Sequence, residues 1–153
     1  MAPVLGRPFV EWVIRMLAQE GIQEYLLSTG FLAETVATHF DKRPVPGTQI
    51  SCIPETSPLG TAGGFLNCVE SRFTEPVNPE DLWLVTNGDS MVVTSIREFL
   101  DVMNQPEVDA AVLGLRMEDA GRYGTLAISD DGRLLEFAEK KPGSGIINAG
   151  VYL

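Results

Sequence analysis

Three polar clusters in this sequence join residue types that could do chemistry. In "LVTNGDS" an apolar run leads through Asn87 and Gly88 into the carboxylate of Asp89, which delivers the acid to the rim of a core rather than to a mobile tip. A carboxylate there can hold Mg²⁺, a hard cation that keeps most of its waters and takes one or two carboxylates plus substrate phosphates. It can equally be a turn residue bonded to nearby backbone amides. In "ETSPLGTAGGFLNC", Gly60, Gly63 and Gly64 remove side chains where a planar base or a sugar could approach, and Thr61 starts a helix whose amides point outward. Glu55 could accept two hydrogen bonds from an edge with neighbouring N–H donors, as guanine offers, or meet the single imino N–H of uracil less fully. The alternative is a glycine-rich strand-to-helix connection with Glu55 in solvent. In "EFAEKK", Glu139 and Lys140 are neighbours on an expected strand and face opposite sides. Lys140 suits a sugar phosphate as a point charge; a solvated strand end is the other reading.

The totals narrow the ligands. A chain of 153 residues with 44% hydrophobic residues can bury one ordinary domain core. Its 11 Lys and Arg against 21 Asp and Glu give a net charge of 11 − 21 = −10, which repels polyanions and argues against a nucleic-acid surface. A phosphate-bearing ligand must then meet a local device: backbone amides, a placed lysine or a metal ion. Cys52 and Cys68 lack CxxC spacing, so neither a disulfide framework nor a zinc site is expected, and both read as reduced and buried. No basic, apolar leader and no long uncharged span opens the chain, so it reads as cytoplasmic, with no membrane partner. His39 has no acid or serine pattern around it and reads as structural or exposed.

The elements that must position these clusters alternate. Pro8 precedes Phe9, Trp12, Val13, Met16 and Leu17 at helical spacing, and Gly21 ends that helix. Residues 22–29 read as a buried strand, Leu32, Val36 and Phe40 as a short helix, and 48–54 as a second strand. Thr61 is expected to cap a helix over 61–69 with Phe65, Leu66 and Val69 buried. A strand at 82–86 leads to Asp89, Ser95 caps a helix through Ile96, Phe99, Leu100 and Met103, and 108–116 forms a strand. "TLAISDDGRLLEFAEKK" reads as a hairpin around Asp-Gly, followed by the strand "INAGVYL". The pattern predicts an α/β fold, a Rossmann-like, mostly parallel sheet covered by helices with an antiparallel hairpin near the C-terminus. Such sheets bind ligands at the carboxyl ends of their strands, where all three clusters fall.

Taken in order, "MAPVLGRPFVEWVIRML", "ETSPLGTAGG", "LVTNGDS", "RYGTLAISDDGRLLEFAEKK" and "INAGVYL" resemble the sugar-1-phosphate nucleotidyltransferases, above all the heptose-1-phosphate and mannose-1-phosphate guanylyltransferase branch. The resemblance implies Mg²⁺-dependent attack of a sugar 1-phosphate on the α-phosphorus of a nucleoside triphosphate, giving a nucleotide sugar and pyrophosphate. It implies that Asp89 is catalytic as the metal ligand, and that Glu55, Gly60, Thr61 and Gly88 bind the nucleotide. Gly124, Glu139, Lys140, Asn148, Ala149 and Gly150 would form the sugar-phosphate side. Two departures from the family pattern accompany it. The family's GGxGTRL phosphate loop, with the first strand before it and a lysine after it, has no counterpart in these residues, and neither has the region carrying a second acidic metal ligand. The expectation is one truncated domain over 1–153, weak or inactive alone, lacking the strand that normally lies between the 22–29 and 82–86 strands. Its bared sheet edges would favour a homo-oligomer. The competing expectation is a non-catalytic sugar-nucleotide-binding or oligomerisation module.

Overall fold

The structure is a computed structural model that describes residues 1–73, 78, 81–138 and 142–153. Packing divides the chain into two compact units, Met1–Asp81 and Leu82–Leu153.

In the first unit, β1 (Pro3–Val4) and β2 (Arg7–Pro8) form a tight antiparallel hairpin. Leu5 at φ 49° and Gly6 at φ 78° make its two-residue turn. Positive φ at both central positions matches the twist of the flanking strands. The sequence reading missed this hairpin, because each strand has only two residues. Pro8 then caps α1 (Phe9–Gln19). Val13 and Leu17 are buried as expected, but Ile14 and the acidic Glu11 are buried more deeply still. The helix ends as its glycine predicts. Gly21, at φ 96°, donates to Ala18 O, and Ile22 donates to Leu17 O, the paired bonds that close a helix on a left-handed residue.

Next, β3 (Glu24–Thr29) and β4 (Gln49–Pro54) run parallel, registered from Glu24↔Gln49 to Thr29↔Pro54. The helix α2 (Ala33–Lys42) connects them and buries Phe40. The parallel pairing brings the loops after both strands to one end, and the Glu55 amide bonds Thr29 O at 2.8 Å. Residues 22–29 are less buried than expected: Tyr25 and Thr29 are covered, but Leu26 and Leu27 are half-buried and Ser28 is exposed. The reason is edge position, for among the described residues β3 pairs with β4 alone.

The helix α3 spans Gly60–Arg72, and two expectations about it are corrected. Thr61 lies inside the helix and is not its cap. Leu59 holds the cap position with no side-chain cap of its own, and the Glu55 carboxylate accepts the Leu59 amide instead. Leu66 is exposed, and Gly64 and Cys68 form the buried face, so this helix docks by close backbone approach rather than by large side chains.

In the second unit an antiparallel sheet is built around one long strand. β5 (Val85–Thr86), β6 (Val112–Met117), β7 (Thr125–Ile128), β8 (Leu134–Ala138) and β9 (Gly145–Tyr152) join in the order β5-β9-β7-β8, with β6 also on β9. Ile147, Ala149 and Val151 alternate along β9 and are all buried, the period-two signature of a strand with one covered face. The expected strands 82–86 and 108–116 shorten to β5 and β6, and Glu107 sits at φ 65° before the latter. Gly114 admits β9 closely, since a Cβ there would lie 2.7 Å from Ile146 Cγ2. Ser95 caps α4 (Ile96–Asp101), accepting from Glu98 N at 3.3 Å. The β7–β8 hairpin turns at Asp131-Gly132 as its sequence predicts, with Gly132 at φ 84°. The protein is thus mixed α/β with a parallel pair and a larger antiparallel part than one hairpin. No helix among the described residues is long and apolar enough to cross a membrane.

Candidate functional site

Two clusters of expected site residues form, one in each unit. In the first, Glu55 stands just past β4 and uses both carboxylate oxygens. Ser28 Oγ donates to Oε1 at 2.6 Å, and the Leu59 amide donates to Oε2 at 3.1 Å. The Ser28 hydroxyl, and after it the Leu59 amide, hold the Glu55 carboxyl below the ordinary carboxylate range against a small opposing desolvation. Glu55 is therefore an ionised acceptor at neutral pH.

The three glycines divide by role. The space left at Gly63 faces Leu59, whose Cβ would be 2.9 Å from a Cβ there, and that at Gly64 faces Ser28 and Glu55. Those two vacancies are filled by the protein itself, which corrects the expectation that all three open the backbone to a ligand. Gly60 is different: it is exposed, has φ 69°, and a Cβ there would meet nothing within 4 Å. Gly60 and the exposed Thr61 thus leave bare backbone at the start of α3, one turn from the Glu55 carboxylate.

In the second unit the Asn87–Asp89 loop leaves β5 and is tied to β9. The Asn87 amide donates to Gly150 O at 2.9 Å. Gly150 sits at φ 72° inside the strand, and a Cβ there would fall 2.4 Å from Asn87 Nδ2, so the Asn87 side chain occupies the volume this glycine leaves free. Asn148 completes the arrangement. Its Oδ1 accepts the Gly150 amide at 2.9 Å, its Nδ2 donates to Tyr152 Oη at 2.8 Å, and its own amide donates to Gly124 O at 3.0 Å. Gly124, Asn148, Ala149, Gly150 and the Asn87–Asp89 loop are thereby assembled, with Gly88 and Asp89 exposed. Ala149 turns its methyl into the core and can present only backbone. Glu139 and Lys140 lie outside the described residues.

No group of three or more His, Cys, Asp or Glu side chains suited to a metal occurs among the described residues. A single exposed carboxylate at Asp89 does not suit an all-protein cage. It does suit Mg²⁺, which retains waters and completes its shell with substrate phosphate oxygens.

Sequence reasoning missed Ser28, Tyr152 and Glu11, and it placed Asn87 in the Asp89 cluster without the packing role against Gly150. Glu11 had a readable signal, arginines four residues away on each side. His39, expected to be structural or exposed, is structural and largely covered, and its acid is the distant Glu11. Cys52 and Cys68 are both free; burial pushes both thiols up, helped at Cys52 by the charge of Asp41. Cys68 is buried and Cys52 only partly so. An open depression of 550 Å³ along α2, lined by Glu34, Thr38, His39, Lys42 and Arg43 among others, contains none of the expected site residues.

Known proteins are similar to this chain in sequence and fold. The D-glycero-alpha-D-manno-heptose 1-phosphate guanylyltransferase of Aneurinibacillus thermoaerophilus is 32% identical over the whole of this chain, which spans 64% of that protein. The mannose-1-phosphate guanylyltransferase of Mycobacterium tuberculosis is 28% identical, and the chain spans 42% of it. The crystal structure of HddC from Yersinia pseudotuberculosis complexed with GMP-PN superposes with a TM-score of 0.84 at 29% identity, covering 99% of this chain and 64% of that one. The fold is that of the nucleotide-diphospho-sugar transferases. The family profile described as Nucleotidyl transferase covers residues 1–153, taking in both the Glu55 and the Asp89 clusters, and the chain accordingly belongs to that family.

Proposed function

We propose that this chain carries the guanine-nucleotide and sugar-phosphate binding groups of a sugar-1-phosphate nucleotidyltransferase. The observation that carries the reading is the Glu55 carboxylate, held ionised and oriented at the exposed end of β4 beside the open backbone of Gly60. Guanine offers N1–H and the 2-amino group side by side, and a fixed carboxylate accepts from both. Uracil offers one such donor and is the second choice.

Asp89, with Gly88, would hold Mg²⁺ and nucleotide phosphates; the bound ion would supply charge neutralisation at the α-phosphate. Asn148, Gly150 and Gly124, with the backbone of Ala149, would line the sugar side, and Glu139 and Lys140 would take its hydroxyls and phosphate. In the reaction an oxygen of the sugar 1-phosphate bonds to the α-phosphorus of GTP while the bond to the leaving pyrophosphate breaks. Residues Thr61 and Gly60 contribute backbone at the nucleotide.

These 153 residues contain no GGxGTRL segment, so we read turnover by them alone as slow, because those donors would neutralise the charge that develops at phosphorus. The second reading is a sugar-nucleotide-binding module without turnover. Asp89→Ala separates them: loss of Mg²⁺-dependent nucleotide-sugar formation supports the enzyme, and unchanged binding and self-association support the module. Self-association is part of the proposal, because among the described residues β3 pairs only with β4 and β5 only with β9. A cytoplasmic setting would keep both free thiols reduced.

Calorimetric titration with GTP, UTP, CTP and TTP in Mg²⁺ tests the reading. GTP should bind most tightly and UTP next. Absence of binding by all four would overturn it.

A further inference from the structure

The structure gives Glu55 more support than a loop carboxylate needs. Ser28 lies at the exposed end of β3 and pairs with Ile53, so it shares a face with Glu55 two residues beyond Ile53. Its hydroxyl reaches Oε1 at 2.6 Å while the Leu59 amide holds Oε2 at 3.1 Å. Gly64 forms the third side: a Cβ there would lie 3.0 Å from Ser28 Oγ and 3.1 Å from Glu55 Oε1, closer than the pair could accept without shifting. One helical turn beyond Gly64, Cys68 completes the buried face of α3.

The geometry points to Ser28 as a specificity-determining positioning residue. Seated against Gly64, it fixes the Glu55 carboxylate so that each oxygen keeps a lone pair for one of two adjacent N–H donors on a base. A carboxylate oxygen has room for about two hydrogen bonds, and the protein fills one on each. A half-buried glutamate without these partners would spread over several rotamers, and ordering it on binding would cost affinity. The inference rests on the nucleotide-binding reading above and names the group that sets its preference among bases.

The test titrates the wild-type chain and the variants Ser28→Ala, Ser28→Thr and Gly64→Ala with GTP and ITP in Mg²⁺. Inosine lacks the 2-amino group and presents one donor where guanosine presents two. In parallel, the Glu55 carboxyl carbon is followed by NMR against pH. Ser28→Ala should lower the GTP-over-ITP preference roughly tenfold, the loss of about one hydrogen bond's discrimination, and should raise the Glu55 titration midpoint. Gly64→Ala should act in the same direction, and Ser28→Thr, which keeps the hydroxyl, should retain the wild-type preference. A wild-type chain that prefers GTP, with that preference and the Glu55 midpoint unchanged in Ser28→Ala, overturns the role of Ser28 alone. A wild-type chain that binds neither nucleotide, or both equally, overturns this inference together with the base-recognition reading beneath it.

Discussion

Replacing Glu11 with alanine should destabilise the first unit by about 3–5 kcal/mol, the loss expected when one member of a buried ionic group is removed. The Glu11 side chain is fully buried, yet it is ringed by hydrogen-bond donors. Arg15 Nε donates to Oε1 at 2.8 Å, Arg7 bonds the same oxygen, and His39 Nε2 lies 2.8 Å from Oε2. With Glu11 ionised, His39 Nε2 must carry the proton of that bond. The network joins β2, α1 and α2, so truncation strands donors on all three elements. Burial pushes the Glu11 carboxyl up, but the hydrogen bonds from His39, Arg15 and Arg7 outweigh it and lower the pKa to about 2. A folded-state pKa depressed in this way contributes stability that is fully present above the ordinary value of 4.5 and is lost as pH falls toward about 2. At about 1.4 kcal/mol per unit, the pH-dependent part is about 3 kcal/mol. Urea unfolding followed by tryptophan fluorescence should show the wild type weakening from pH 5 to pH 3, and Glu11→Gln weakening distinctly less over that range. A wild-type midpoint that does not move with pH would contradict the assignment.

The second large effect is expected at Gly150. An alanine there must adopt φ near 72° and place its methyl 2.4 Å from Asn87 Nδ2. Left-handed backbone costs an L-residue about 1–2 kcal/mol, and overpacking adds about 1–3 kcal/mol. Gly150→Ala should therefore lose about 2–5 kcal/mol in total and displace the loop that carries Asp89. Gly60→Ala is the control, for Gly60 has φ 69° but a Cβ there would meet nothing within 4 Å. It should show only the backbone part, about 1–2 kcal/mol. Thermal unfolding of the two variants side by side measures the difference; equal losses would mean that Asn87 yields freely and the packing does not hold the loop.

These residues also show what could be read from the sequence. Helix ends at Pro8 and Gly21, the Ser95 cap and the Asp131-Gly132 turn follow from local chemistry, and local chemistry is present in the sequence. Asp89 and Glu55 were legible because an apolar strand running straight into an acid leaves that acid at a strand end. Ser28 was not, since its role depends on the parallel register that sets it beside a carboxylate 27 residues away. The cap of α3 was misplaced for a related reason. Thr61 has the right side chain, but the Glu55 carboxylate reaches the Leu59 amide first and the helix starts one residue earlier. Gly63 and Gly64 read as openings for a ligand because a missing side chain does not say what fills the gap. The tertiary contacts show that protein atoms do.

Binding of a guanine nucleotide by the Glu55–Thr61 segment can be followed residue by residue by titrating the ¹⁵N-labelled chain with GTP and Mg²⁺. The amides of Glu55, Gly60 and Thr61 should shift together and saturate with one dissociation constant, and Glu55→Gln should abolish the response. Saturable binding that leaves these three amides unmoved, or no shift anywhere in the spectrum, would contradict it.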